Sequence, residues 1–407
     1  MDPRPASDTT EPGERIRPRS QWATIVIVYI GGVVAAMSFG KFASVGPVVA
    51  EQLGLSLSQL GWVISAVTGV GAVAGLPAGY LVRRFGADRS LVAGLILIAA
   101  ASAVSTAAGD FAWMLAVRGV EGIGYLLVTI SCPVLILRLA QERDRGTALS
   151  IWATFVPVGL GASTLAGGAL GSALGWRGWI AVLAGLTFVM APLVWTRLPR
   201  GAGRQAAAGS VPRARALTWP VVLAASFCLT ALVTIPVVVL LPTLLIDQQG
   251  RSAAAAGAMT SAISLLSALG GLAVGVLLRR GTPVGVVALF GLLAVPAAWL
   301  LFGGDAPLAA ALTGAGAISL VNGYVGALVF AALPLVLERL DHADVGNGVV
   351  AQAGSLGSLL GPPLFGLLAG EFGFPSLMPV IAVGMLTAVG SLLLVGRRTA
   401  RPLPSGD

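Results

Sequence analysis

Charged side chains are scarce in this sequence. Of its 407 residues only 10% are Asp, Glu, Lys or Arg, whereas 56% are hydrophobic. Soluble domains carry about 25% charged residues, and a soluble chain of this length would divide into two or three domains with polar surfaces. Too few charges are present to cover such surfaces. The composition therefore predicts that lipid is the solvent for most of the chain.

Cysteine and histidine are also rare. Cys132 and Cys228 both lie within apolar runs, which argues against a disulfide framework or a metal site. The single histidine, His342, stands in a polar turn and is interpreted as a solvated loop residue. The sequence has no HExxH, CxxC or GKS/T pattern, so we expect neither an enzyme nor a bound cofactor.

Long apolar runs are what the sequence has in abundance. Each is at least about the 20 residues that a helix needs to cross a bilayer, and without water its backbone must be helical. The runs lie near 22–50, 58–82, 90–108, 111–137, 147–172, 177–196, 218–246, 254–278, 282–303, 307–337, 345–369 and 374–396. They predict an all-α membrane protein with twelve transmembrane helices.

Polar segments divide these runs into two groups of six. Residues 1–20 lack the apolar core and cleavage site of a signal peptide, so we expect a disordered cytoplasmic tail. An arginine-rich linker at 197–217 then separates an N-terminal bundle at 21–196 from a C-terminal bundle at 218–397. A second cytoplasmic tail is expected at 398–407.

Arginine is distributed very unevenly among the segments between the runs. With the N-terminus placed in the cytoplasm, only Arg177 and Arg251 fall in segments on the outer side. The positive-inside rule then predicts an inner or plasma membrane protein with both termini and the linker in the cytoplasm. The net charge of +8 is interpreted as this topology signal and not as a nucleic-acid footprint.

The second half of the chain repeats the first at a nearly constant offset. Pro47 recurs as Pro242, and the pair Arg83-Arg84 recurs as Arg279-Arg280. Such a parallel duplication of six helices is typical of transporters whose two halves move around a site between them.

Two motifs carry a resemblance to a known family. The segment from Gly79 to Arg89 reads Gly-Tyr-Leu-Val-Arg-Arg-Phe-Gly-Ala-Asp-Arg, and Arg118 to Gly124 follows the pattern Arg-x-x-x-Gly-x-Gly. Over residues 21–396 the chain resembles the major facilitator superfamily, whose signature turn is Gly-x-Leu-x-Asp-Arg-x-Gly-Arg. The resemblance implies a conformational-switch loop. Its matched positions are Gly79, Arg83, Arg84, Gly86, Asp88 and Arg89, with Arg279 and Arg280 in the repeat.

Departures from the family pattern narrow this interpretation. Arg83 replaces the aspartate of the family's charge latch, and Asp88 is the candidate to act in its place. The Gly-Pro of family exporters is absent from the fifth run. The segments Ser44–Pro47 and Leu53–Ser56 are similar to the branch that includes cyanate and nitrate/nitrite transporters.

Three ionisable residues fall well inside apolar runs: Lys41, Arg118 and Glu121. A charge at mid-bilayer costs at least about 2.5–3.5 kcal/mol, so each is a candidate functional residue. Arg118 and Glu121 are three residues apart and can pair on one helix face, either as a structural ion pair or as part of a site. Lys41, in the outer half of a long first helix, either binds solute or extends to the outer interface.

These charges lead to a functional hypothesis. If Glu121 pairs with Arg118, Lys41 is left as an uncompensated cation, which an anionic solute would neutralise. Glu121, as the sole acid deep in a run, is predicted to carry or gate a proton. Polar or aromatic side chains are further candidates to contact solute, with simple packing as the alternative. They are Tyr29, Trp152, Asn322 and Gln352, and secondarily Tyr125, Tyr324 and Asn347.

The sequence thus predicts a monomeric secondary transporter of a small anion, with a proton as the coupling ion. The alternative is a proton-coupled exporter of hydrophobic or cationic compounds, with Glu121 as the proton and cation site. A receptor or enzyme on the same scaffold is a third interpretation, disfavoured by the lack of a catalytic constellation.

Overall fold

A computed structural model describes residues 21–141, 144–198, 217–304, 307–337 and 343–399. The predicted tail at 1–20, residues 400–407 of the predicted tail at 398–407, most of the linker, and His342 lie outside the described residues. The described chain is built from helices. They are α1 Trp22–Gly40, α2 Gly46–Leu53, α3 Leu57–Phe85, α4 Ala87–Ser105, α5 Phe111–Leu139, α6 Arg145–Trp152, α7 Phe155–Arg197, α8 Thr218–Asp247, α9 Ala253–Arg279, α10 Val284–Leu289, α11 Ala294–Phe302, α12 Leu308–Val336, α13 Ala343–Phe372 and α14 Leu377–Thr399.

The predicted all-α membrane fold with twelve crossings is confirmed. Within the described ranges, eleven helical stretches are long and apolar enough to span a membrane. One of them, α7, contains Gly175 at φ 72° and ψ 167°, a non-helical conformation that glycine adopts readily. Gly175 divides α7 into two crossing segments, at the position where the sequence separates the fifth and sixth runs.

Side-chain caps begin corresponding helices of the two halves. Ser56 accepts a hydrogen bond from the backbone N–H of Gln59 at the start of α3. Ser252 caps α9 in the same way through the N–H of Ala255. A serine at this position satisfies one of the N–H groups left free at a helix start, so the duplication extends to how the helices begin.

The first predicted run is not one helix. The sequence predicts a single span over 22–50, whereas α1 ends at Gly40 and α2 begins at Gly46 after a turn. Every residue from Lys41 to Val45 is buried. Pro47 lies in the first turn of α2, where its missing N–H costs nothing. Lys41 therefore lies in a buried helix break and not in the outer half of a long helix.

The two halves of the molecule pack closely on one side. Twelve crossings place the start of α1 and the end of α14 on the same side, here called the near side, and the opposite side is the far side. Toward the far side, a Cβ on Gly61 of α3 would overlap the backbone of Pro362 on α13. A Cβ on Gly257 of α9 would overlap the carbonyl of Thr164 on α7. We call these two contacts the far seam.

Candidate solute and proton site

The site is built around the end of α1, which lies inside the packed bundle. The last carbonyl groups of a helix have no partner within it, and lipid offers none. Side chains from two other helices satisfy them here. The acceptor and donor pairs are Met37 with Ser163 Oγ (2.8 Å), Ser38 with Arg118 Nη1 (2.8 Å) and Lys41 with Trp179 Nε1 (2.9 Å).

Arg118 of α5 ties three helices together. Besides Ser38, its guanidinium donates to the carbonyl oxygens of Val63 (2.7 Å) and Ile64 (2.8 Å) on α3. Its Nη1 also lies 2.7 Å from Oε2 of Glu121, so the predicted ion pair is formed. Arg118 is 0% exposed. Its planar fork of donors suits this task, because one group must reach acceptors on two helices and a carboxylate.

Lys41 binds the same carboxylate. Its Nζ lies 2.8 Å from Oε1 and 3.0 Å from Oε2 of Glu121, and it donates to Ser102 Oγ on α4 at 2.9 Å. Ser102 Oγ in turn donates to Oε1 of Glu121 at 2.7 Å. Glu121 and Lys41 are both 0% exposed. Lys41, Ser102, Arg118 and Glu121 are called the ionic cluster below.

The expectation that Lys41 is left uncompensated is wrong. Glu121 is a shared partner, so the ionic cluster holds two cations and one carboxylate, with one net positive charge. The carbonyl end of α1 bears roughly half a negative charge and faces these cations. The ring of Phe42 adds a further favourable contact, with its centroid 5.3 Å from Lys41 Nζ and 5.4 Å from Arg118 Cζ. Lys41, Arg118 and Glu121 are the fully buried charged side chains among the described residues.

Tyr29 and Trp152 lie together but away from the ionic cluster. Tyr29 Oη is 2.8 Å from Oγ1 of Thr154, and the Trp152 ring stacks on Phe155 with centroids 4.0 Å apart. Tyr29 precedes Lys41 by twelve residues, so it lies about 18 Å along α1 toward the near side. The structure does not bring these two predicted contacts to the cations.

The candidates of the C-terminal half are also separate from the cluster. Asn322 Oδ1 lies 2.8 Å from Thr234 Oγ1, a contact between α12 and α8. Gln352 Nε2 donates to the carbonyl of Ala72 at 2.8 Å, which links α13 to α3 across the two halves. Both side chains are only half-buried.

The remaining aromatic candidates have packing contacts. Tyr324 stacks on Phe290 with ring centroids 5.4 Å apart. Tyr125 is half-buried and packs against the hydrophobic core. Nothing is described for the side chain of Asn347.

The segment predicted as a switch loop is mostly helical: Gly79, Arg83 and Arg84 lie in the last two turns of α3, and Asp88 and Arg89 lie in the first turn of α4. Gly86 separates the two helices at φ 94°, a conformation that favours glycine. Asp88 lies in the first turn of α4, where a negative charge complements the helix N-terminus. Arg84 and Arg89 are exposed, as are Arg279 and Arg280 at the end of α9. Gly79 has open space around its Cα, and the Arg83 side chain is not described.

Sequence reasoning missed Ser102 and the carbonyl groups that hold Arg118. A serine in an apolar run gives no signal of its own, since most such hydroxyls bond back to their own helix. Ser105, one turn later, does so through the carbonyl of Ser102 at 2.6 Å. The Ser38 carbonyl becomes a visible acceptor only once the break after Gly40 is known, and the carbonyls of Val63 and Ile64 only once α3 is known to pack against α5.

Comparisons with known proteins agree with the membrane fold described above. A sequence model of the family described as Major Facilitator Superfamily matches residues 28–351. The 3-(3-hydroxy-phenyl)propionate transporter of Escherichia coli strain K12 is 29% identical, over 88% of this chain and 90% of that protein.

Other relatives match shorter stretches. The methyl viologen resistance protein of Salmonella typhimurium is 28% identical over 46% of this chain and 38% of its own length. An arabinose-proton symporter of E. coli strain K12 is 28% identical over 39% of this chain and 34% of its own length. These matches give no specific support to the cyanate and nitrate/nitrite branch.

A solved structure shares the fold. A bacterial homologue of the human lysosomal transporter Spinster, in an inward-facing and occupied conformation, superimposes with a TM-score of 0.71 at 17% identity. The alignment covers 94% of this chain and 96% of that one.

Proposed function

The chain belongs to the Major Facilitator Superfamily, and on that premise we propose that it is a proton-coupled transporter of a small organic anion. Its relatives are membrane transporters, so it is a multi-pass membrane transporter and not an enzyme. The nature of the solute and the role of the proton are the parts proposed here.

One observation carries the proposal: a single carboxylate, Glu121, is shared by two buried cations. Protonation of Glu121 would leave two positive charges within the packed helices. An anion with one negative charge, bound at that moment, restores the net charge that the resting cluster has. Burying a cation without a partner is strongly unfavourable, so the proton and the anion favour each other's binding.

Lys41 is the cation that changes partner in this scheme. Arg118 is fixed by backbone carbonyls of Ser38, Val63 and Ile64 and keeps those bonds whatever the state of Glu121. Lys41 has a single charged partner, and its ammonium is a compact charge on a flexible stem. A carboxylate of the solute would take the place of Glu121 at Lys41, while Arg118 holds the site together.

A relative that aligns with 88% of this chain supports an organic acid as solute. It is named for 3-(3-hydroxyphenyl)propionate, a monocarboxylate, and it aligns with nearly the whole chain. Proton symporters among the relatives support the coupling ion. Within the C-terminal half, the half-buried amides of Asn322 and Gln352 are proposed to contact neutral parts of the solute.

The membrane arrangement is proposed from the arginines. Arg84, Arg138, Arg197, Arg279 and Arg397 all lie near helix ends on the near side. The positive-inside rule makes this side cytoplasmic. We propose a monomer in the inner or plasma membrane, with bundles at 21–196 and 218–397, the linker at 197–217 and both tails in the cytoplasm. The loop from Gly79 to Arg89, with Arg279 and Arg280, is proposed as its conformational switch.

Uptake into proteoliposomes tests the proposal, with 3-(3-hydroxyphenyl)propionate and benzoate as probe anions and an imposed pH gradient. An inward proton gradient should drive accumulation. Glu121→Gln should abolish accumulation but leave solute exchange largely intact, and Lys41→Ala should nearly eliminate binding. Arg251→Ala, at an exposed position, is the matched control. Unchanged pH dependence in Glu121→Gln would show that Glu121 is only the structural partner of Arg118.

Export of a cationic compound is the second candidate, favoured by the relative that confers methyl viologen resistance. The positive cluster argues against it, because a cation would be repelled by Lys41 and Arg118. Methyl viologen transport distinguishes the two functions. If Lys41→Ala keeps or improves transport of methyl viologen and organic acids are not carried, the exporter interpretation is the correct one.

A further inference from the structure

The groups around Glu121 limit which hydrogen bonds its carboxyl group can form. Its two oxygens accept four hydrogen bonds: Oε2 from Arg118 and Lys41, and Oε1 from Lys41 and Ser102. The charged groups that face it are Lys41, from the turn after α1, and Arg118, from α5. Each group of the described structure that forms a hydrogen bond with this carboxylate therefore acts as the donor.

A protonated carboxyl group differs because it must also donate. A guanidinium and an ammonium have donors only and cannot accept a hydrogen bond. A hydroxyl can donate and accept, since its hydrogen rotates freely. Of the groups that touch Glu121 in the described chain, Ser102 Oγ is thus the one able to accept the new O–H, as long as Lys41 keeps its ammonium charge.

We propose that Ser102 is the positioning residue for the transported proton. The proton adds to Oε1 of Glu121. The Ser102 hydroxyl turns its own hydrogen back toward a carbonyl of its helix, as the Ser105 hydroxyl does, and its oxygen becomes the acceptor of the same short contact. Proton arrival and release then require only a rotation about one side-chain bond within the closed cluster. This inference rests on the proposed role of Glu121 as proton carrier, and it assigns that role to one oxygen and one partner.

Because Ser102 is buried, loss of its hydroxyl should affect the protonation of Glu121. Ser102 is 0% exposed, so water cannot easily replace its hydroxyl. Without it, the ionised carboxylate still keeps three of its four donors. The protonated carboxyl, in contrast, has no acceptor at all, and a buried donor without a partner is costly. Loss of the hydroxyl therefore disfavours the protonated form more than the ionised form.

Ser102→Ala is the direct test, with the pH profile of uptake as the readout. We expect half-maximal proton-driven uptake to require about tenfold more protons, or about one pH unit lower, which corresponds to one lost hydrogen bond. Ser102→Thr keeps the hydroxyl and should keep the wild-type profile. Ser105→Ala is the matched control, because Ser105 is equally buried on the same helix and bonds only to the Ser102 carbonyl.

A second measurement does not depend on transport. Infrared difference spectra of the purified protein between high and low pH should contain a protonated carboxyl band that Glu121→Gln removes. That band should shift in Ser102→Ala and stay in place in Ser105→Ala. The shift would show that Ser102 contacts the protonated carboxyl group, even if the variant transports poorly.

The outcomes separate this inference from the proposed function. If Glu121→Gln loses its pH dependence while Ser102→Ala keeps the wild-type profile and band position, Glu121 carries the proton and Ser102 does not position it. If Glu121→Gln itself keeps the wild-type pH dependence, the proton role of Glu121 is wrong and the assignment to Ser102 is overturned with it.

Discussion

The two halves of this transporter repeat the same helices but bury different chemistry. The N-terminal half encloses Lys41, Arg118 and Glu121 at 0% exposure. In the described part of the C-terminal half, the fully buried polar side chains are hydroxyls, and Thr230 and Thr234 bond back to their own helix. The first helices of the two halves differ as well. α1 stops at Gly40, whereas α8 runs unbroken from Thr218 to Asp247.

A helix break explains why charge can be tolerated in one half only. An interrupted helix offers free carbonyl groups and the negative end of its dipole, both of which stabilise cations. Helix α8 has no such end inside the bundle: Pro236 and Pro242 each free one carbonyl group, but the negative end of its dipole stays at its terminus. Pro47 and its repeat Pro242 show the divergence: Pro47 lies in the first turn of α2 after the break, while Pro242 lies inside α8. The first half therefore holds a charged site, and the second presents neutral hydrogen-bonding groups.

Removing Arg118 should have the largest effect on stability of the changes considered, because it disrupts the charged site of the N-terminal half. Arg118→Met removes three buried hydrogen bonds to backbone carbonyls of α1 and α3 and one of the two cations bound to Glu121, a loss of about 3–5 kcal/mol in free energy of unfolding. Arg118→Lys should recover little, because one ammonium cannot reach acceptors on α1 and α3 together. The measurement is denaturant unfolding of the purified protein in bicelles.

Arg251→Met is the control for that experiment. Arg251 is an exposed arginine on the far side of the other half, and its loss should change stability by less than about 0.5 kcal/mol. Equal effects of Arg118→Met and Arg251→Met would mean that the carbonyl contacts of Arg118 contribute little to the fold.

The sequence predicts the fold well because lipid leaves the backbone few options. The twelve runs and the pairing of Arg118 with Glu121 follow from patterns local to one segment, and the duplication follows from comparing the two halves of the sequence. The break after Gly40 does not, since residues 22–50 are apolar apart from Lys41 and a few hydroxyl residues, and Gly46-Pro47 fits either a kink or a helix start. The sequence predicts no partner for Lys41, because its contact with Glu121 joins residues that only tertiary packing brings together.

The sign of the cluster's charge gives the next prediction. Glu121→Gln leaves two cations and should destabilise more than Lys41→Met, which leaves a neutral pair of Arg118 and Glu121. The double variant restores one net positive charge, so its loss should be smaller than the sum of the single losses, by about 0.5–3 kcal/mol. A double-mutant cycle on unfolding free energies measures this coupling. Strict additivity would show that Lys41 and Glu121 do not interact in the membrane.

The role of the far seam in closure can be tested by comparing two glycines of α3, one within the seam and one nearer the near side. Gly61→Ala would place a methyl group against the backbone of Pro362, whereas Gly75 has only ordinary contacts, with the nearest atom of Gln352 at 3.8 Å. Overpacking costs about 1–3 kcal/mol, so Gly61→Ala should shift the protein away from closure on the far side. Labelling of a cysteine at Ser58 by an impermeant reagent should increase in Gly61→Ala and not in Gly75→Ala. Equal labelling in both would place the closing contact elsewhere.

The smallest effect is expected in the C-terminal half, at Asn322. The Thr234 hydroxyl has one hydrogen but two acceptors in reach, the Thr230 carbonyl at 2.7 Å and Asn322 Oδ1 at 2.8 Å. If the hydrogen goes to Thr230, the Asn322 amide must turn and donate instead. Either way one neutral bond holds a half-buried side chain, so Asn322→Leu should cost about 0.5–1.5 kcal/mol in unfolding free energy. A loss as large as that of Arg118→Met would contradict the view that the second half is stabilised without a charged or densely bonded polar centre.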